Sequence, residues 1–208
     1  MNRSQVTIAA LVAAALVAGG VATAQQRADR ATLRTPQSFA TVPDQRARSV
    51  EIFREAGKVI QHPRCVNCHP ATDVPLQGAD MHPHSPPVVR GAAGMGTPGM
   101  PCTTCHGPTN AILAGTSLKS MPGHPAWHLA PIEMAWAGKS LGEICRQIKD
   151  PARNGGKSLA ALHEHMAQDS LVGWGWNPGP GREATPGTQE AFGLLIKAWI
   201  DTGAECPA

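Results

Sequence analysis

The chain has 208 residues, and its 18 Lys and Arg against 15 Asp and Glu give a formal net charge of +3. It shows neither a Lys/Arg stripe nor a basic run, which excludes the electrostatic footprint of a nucleic-acid binder. Gly (22) and Pro (19) are abundant while large rings are scarce, with three Phe, five Trp and no Tyr, so a core is hard to build from side chains alone.

The first 24 residues read as an export leader. Arg3 supplies positive charge, Ile8 to Ala18 is an unbroken apolar run, and Ala22-Thr23-Ala24 is an A-x-A cleavage site. A run of about 11 residues is short for a bilayer span. Cleavage after Ala24 is therefore expected, and retention as an anchor is the alternative. The expected product is a periplasmic chain with no stable membrane span. Its length suits one domain or two very small ones.

Residues 25–45 are polar and without sustained period, and read as a flexible arm ahead of a single domain over 46–208. The spacing predicts a first helix from Arg46 to Gln61, with Val50, Phe53, Ala56, Val59 and Ile60 on one stripe. Pro63 ends it. Pro70 to Pro101 holds seven Pro and five Gly, too many for an ordinary helix or strand. Asn110 to Ser120 is short and mixed. Pro131 to Ala137 reads as a short helix with Pro at its first position. Ser140-Leu141-Gly142-Glu143 is a capping box opening a helix to Lys149. Ser158 caps another helix, ending at Gln168. Trp174 to Gly187 is again rich in Gly and Pro. The last helix runs from Thr188 to about Thr202, with Phe192, Leu195, Ile196 and Trp199 inward and Gly203 as its stop.

Two pentapeptides carry the chemistry. Cys65-Val66-Asn67-Cys68-His69 is matched by Cys102-Thr103-Thr104-Cys105-His106. Each is Cys-x-x-Cys-His, the attachment signal for a c-type haem. Two thiols add across the two vinyl groups of one porphyrin, and the following histidine ligates the iron. A four-cysteine zinc site or a redox dithiol would leave the histidine after each pair unexplained. Two covalently bound haem c groups are therefore expected, with His69 and His106 as proximal ligands. The short linker between motifs makes the haems close neighbours in one domain. They would form much of the interior, so the apoprotein is expected to be largely unfolded. Cys145 and Cys206 remain. They are expected to form a disulfide, which an exported chain permits, with two buried free thiols as the alternative.

The distal ligands are less constrained. His84, in the loop between the motifs, is favoured for one iron, and His82 beside it reads as a solvated loop residue. His128 follows Trp127 and is a second choice. His163 lies near the Leu159, Leu162 and Met166 stripe. His165 lies off it, but Asp169 at i+4 can accept its other ring N–H, which favours His165. Methionines 81, 95, 100, 121, 134 and 166 compete.

The paired motifs and the leader resemble exported dihaem c-type cytochromes of bacteria. Over the second half, Trp127-His128-Leu129-Ala130-Pro131, Glu143-Ile144-Cys145, Asn154-Gly155-Gly156 and the run from Asp169 to Trp176 are similar to small exported proteins labelled as a subunit of isoquinoline 1-oxidoreductase. That resemblance implies a cytochrome serving a molybdenum hydroxylase. The chain has no pterin or iron–sulfur signature, so substrate chemistry would belong to the partner. The expected fold is mainly α with extensive irregular loops, a compact dihaem cytochrome c-like domain. The expected function is electron transfer between redox partner proteins in the periplasm, from a dehydrogenase to a downstream acceptor. The alternative is a haem enzyme with one open iron site acting on peroxide or a small molecule.

Overall fold

The computed structural model describes residues 32–208; the expected leader and its cleavage site lie outside them. A 3-10 turn over Pro36–Phe39 comes first. Helix α1 (Gln45–Ile60) follows, capped by Asp44, whose carboxylate accepts from the Ala47 amide at 2.7 Å. Helix α2 (Pro63–Val66) is one turn long, with Pro63 at its first position and the His62 ring accepting from the Arg64 amide. The chain then crosses a loop layer with three hairpins. Strands β1 (Leu76–Gln77) and β2 (His82–Pro83) pair antiparallel, as do β3 (Gly96–Thr97) with β4 (Met100–Pro101) and β5 (Ala111–Ile112) with β6 (Ser120–Met121). Helices α3 (Leu141–Lys149), α4 (Leu159–Gln168), α5 (Ser170–Gly173) and α6 (Gln189–Asp201) complete the chain. Helices and helical turns hold about 41% of the described residues. None of these helices is long and apolar enough to cross a membrane.

The long helices lie where the caps and stripes put them. Ser140 and Glu143 make both bonds of the capping box on α3, Ser158 caps α4 and Thr188 caps α6. Gly203, at φ +110°, follows the last turn in a conformation that L side chains disfavour. Helix α6 packs against both α1 and α4. Their facing sides, with α3, bury Phe53, Ile60, Ile148, Leu195, Ile196 and Trp199 among sixteen core residues. The Trp199 ring sits 4.8 Å from Phe53, and its indole N–H bonds the Glu205 carbonyl. Cys145 of α3 and Cys206 are joined by a disulfide, as the sequence predicts. Closing so long a loop stabilises by about 2–5 kcal/mol.

The helical half builds a side-chain core of its own. In residues 67–137 the buried hydrophobic side chains, prolines aside, are Leu129 and Ala135. The described part of the expected arm is mostly exposed but anchored at one ring. Phe39 is 2% exposed, and Arg34 lies over its ring while bonding Glu55. One expectation needs correction: the helix expected at Pro131–Ala137 shrinks to a 3-10 turn, Ile132–Met134. The Trp136 and Ala137 amides that would continue it donate instead to the carbonyl of His69. Helix α5 and the adjoining 3-10 turn Trp174–Trp176 are not expected from the sequence, which gives no element for Ser170–Gly173 and reads Trp174 to Gly187 as rich in Gly and Pro.

Glu55 is the acid that fastens the N-terminal segment. Burial alone would raise its pKa, but Lys58 at 2.6 Å and Arg34 at 2.9 Å outweigh burial and hold the carboxyl below its ordinary value of 4.5. A depressed folded-state pKa contributes stability above the unfolded value and loses it as pH falls through the folded one. Glu55→Gln is therefore expected to lower stability near neutrality and to flatten its decline below about pH 4.5. Denaturation midpoints across the acid limb check this, and an unchanged acid slope would count against the ion pairs.

Candidate cofactor sites

Each Cys-x-x-Cys-His segment folds as a tight helical turn. In the first, the Cys68 amide bonds the Cys65 carbonyl and the His69 amide bonds that of Val66. In the second, a 3-10 turn over Cys102–Thr104, the Cys105 and His106 amides both bond the Cys102 carbonyl. Such a turn brings the two sulfurs of a pair and the following imidazole together, as one porphyrin requires.

The two histidines are held alike. His69 Nδ1 donates to the Met134 carbonyl at 2.7 Å, and the ring stacks on Trp136 at 3.7 Å and 5°. His106 Nδ1 donates to the Pro122 carbonyl at 2.8 Å, and its ring stacks on Trp127 at 4.7 Å and 18°. A carbonyl at Nδ1 fixes the tautomer and leaves the Nε2 lone pair for a metal. Burial pushes the His69 pKa down to about 4 and lowers that of His106. Both shifts favour the neutral ring, the form that ligates.

Two cavities meet these turns. The first, about 380 Å³, lies between α4 and the loop layer and takes in Cys65, Cys68 and His69. On α4, Leu162, His165 and Met166 line it; His163 does not. His165 Nδ1 faces the Asp169 carboxylate at 3.1 Å, the i+4 contact expected from the sequence. Burial would raise the Asp169 pKa, but the Leu171 amide and His165 outweigh it and lower it. The second cavity, about 210 Å³, lies within the loop layer and takes in Cys102, Cys105, His106 and His84. The His84 and His106 rings stand 6.1 Å apart at 68°. Two imidazoles ligating one metal from opposite sides place their centroids roughly 6–6.5 Å apart, given metal–nitrogen bonds of about 2.0–2.1 Å. His84 Nδ1 is taken by the Pro86 carbonyl at 2.9 Å. Arg64, Cys68, Trp127, His128 and Trp174 border both cavities, so the two share a wall.

The remaining histidines separate by their contacts. His82 is exposed and pairs with Asp80, fitting a solvated loop residue. His124 has both ring nitrogens engaged, by Ser170 Oγ and the Ala126 amide. His128 bonds the Ala126 carbonyl through Nδ1 and stays on the shared wall, committed to neither cavity. Among the methionines, 134 and 166 line the first cavity and 100 and 121 the second, whereas Met81 and Met95 border neither.

The thiols do not suit the other readings. Burial pushes Cys65 up to about 12 and Cys68 up to about 11, with Cys68 adding to the rise at Cys65. A redox dithiol needs a lowered thiol. Among the described residues no three His, Cys, Asp or Glu side chains gather into a metal cage, and the two cysteine pairs lie at different cavities, Cys65 at the first and Cys102 and Cys105 at the second. Each cavity sets a largely apolar wall beside a thiol pair and an imidazole.

The indoles of Trp127 and Trp136 were not legible as partners of particular histidines, because each pairing closes over a long loop. Arg64, buried on the shared wall, also went unnoticed, and its place beside Cys65 was the signal that could have found it.

No protein-family model, no curated protein and no solved structure matches this chain. The resemblance to exported cytochromes is carried by the motifs quoted above alone.

Gly123 follows the carbonyl that holds His106. A Cβ there would lie 2.1 Å from the Thr109 carbonyl oxygen and 2.5 Å from that of Gly107. Gly123→Ala is expected to cost about 1–3 kcal/mol by overpacking and to displace the Pro122 carbonyl. Urea unfolding checks the cost, and an unchanged midpoint would show that this turn has slack.

Proposed function

We propose that the chain is an exported dihaem c-type cytochrome, an electron carrier of the bacterial periplasm. One arrangement carries the reading. Each Cys-x-x-Cys-His turn opens on its own cavity, and each cavity holds a second histidine whose Nδ1 is engaged: His165 by a carboxylate, His84 by a carbonyl. A haem c at each motif would supply a one-electron ferric–ferrous couple.

Cys65 and Cys68 would hold one group through thioether bonds and Cys102 and Cys105 the other. His69 with His165 would hold one iron, and His106 with His84 the other. Two protein ligands per iron leave no open position, which favours electron transfer over catalysis. The stacked Trp136 and Trp127 and the bonded carbonyls hold the proximal rings in place, so little in the chain must move when charge arrives. The Cys145–Cys206 disulfide supports export to an oxidising compartment. By the resemblance of the second half, the electron donor is a periplasmic dehydrogenase of the molybdenum hydroxylase class, and the chain hands electrons to a downstream acceptor.

The reduced protein is expected to show a c-type absorption spectrum that stays with the polypeptide through acid–acetone extraction. In low-temperature EPR, His84→Ala and His165→Ala should each convert one of two low-spin bis-imidazole signals to high spin, while His128→Ala leaves both. Extraction of all haem into acetone defeats the proposal, and an unchanged spectrum in either ligand variant removes that residue from its role.

A further inference from the structure

Arg64 is a buried charge with no ion pair among the described residues, and Glu183 acts on it only from beyond ion-pair distance. Arg64 is 7% exposed, and its Nε has no hydrogen-bond partner. Its guanidinium bonds the Gly78 carbonyl at 3.1 Å, and no carboxylate among the described residues lies within ion-pair distance of it. A buried ion costs several kcal/mol unless paired. Arg182 also borders the second cavity and has only the neutral oxygens of Ser120, at 2.6 and 2.7 Å. Two guanidiniums on one cavity wall call for a dianion between them.

A porphyrin carries its anions as two propionates, on the edge opposite its vinyl groups. Arg64 directly precedes Cys65, so it stands at the thioether edge of any porphyrin held by the first motif and away from that group's propionates. The cavity it shares with Arg182 is the other one. We infer that Arg64 and Arg182 bind the propionates of the porphyrin held by the second motif. The inference rests on the dihaem reading above. Its consequence is cross-wiring, since a side chain inside the first attachment turn sets the electrostatic field on the second iron. Guanidinium pairs well with carboxylate in bidentate geometry, and the bond would close the wall between the two cavities.

The test uses the intact holoprotein, with potentiometric titration of both haems and His84→Ala to assign the second couple. A nearby cation favours the ferrous state, so Arg64→Gln should lower the midpoint potential of the second couple, make that couple pH-dependent as its propionate takes up a proton, and move the first couple less. Arg64→Lys keeps the charge and should give a smaller shift in the same direction. It also serves if Arg64→Gln fails to mature. Two haems present and both midpoints unmoved in the variants, or a shift confined to the first couple, overturns the inference while leaving the cytochrome reading intact. Wild-type protein without two covalent haems overturns both.

Discussion

His69 is joined to the end of the loop layer at three points. Its ring donates to the Met134 carbonyl, and its own carbonyl accepts from the Trp136 and Ala137 amides. The indole of Trp136 then lies flat against the imidazole. This knot fastens the end of the loop layer to the turn at its start, and it seats the first attachment turn against the helical half. It also fixes the ring so that one nitrogen is spent on the protein and the other faces the cavity. The second motif repeats the device with the Pro122 carbonyl and Trp127, inside the loop layer alone.

The two halves of the molecule are held by different forces. The helical half buries large apolar side chains around Trp199 and is closed by a disulfide. The loop layer is held by polar ties. Arg90 is central among them, donating to the carbonyls of Pro70, Thr72 and Ala130. A layer with so little apolar interior gains most from a large apolar plate inserted into it. The cavity at the boundary and the cavity within the layer are where such plates would go, and they would turn the least self-sufficient part of the chain into its functional centre.

What was legible in the sequence was local. Capping boxes, apolar stripes and stop residues concern neighbours within one or two helical turns, and they located α1, α3, α4 and α6. The Cys-x-x-Cys-His motifs are local for the same reason, since two sulfurs and an imidazole would have to meet one ring in the proposed reading. The His165–Asp169 contact was readable as an i+4 pair. The Trp partners, the packing of Phe39 under Arg34 and the collapse of the 131–137 helix were not, because each depends on segments distant in the chain. The missing helix is instructive. Its local pattern was helical, but the carbonyl of His69 offered its amides a better-placed acceptor.

The account depends on covalent attachment of a macrocycle at both turns. The intact mass of the polypeptide purified from the cells that make it tests that most directly. A mass exceeding the processed chain by two haems is the predicted result. A mass equal to that of the bare processed chain, with its four cysteines at 65, 68, 102 and 105 still open to alkylation, would contradict it.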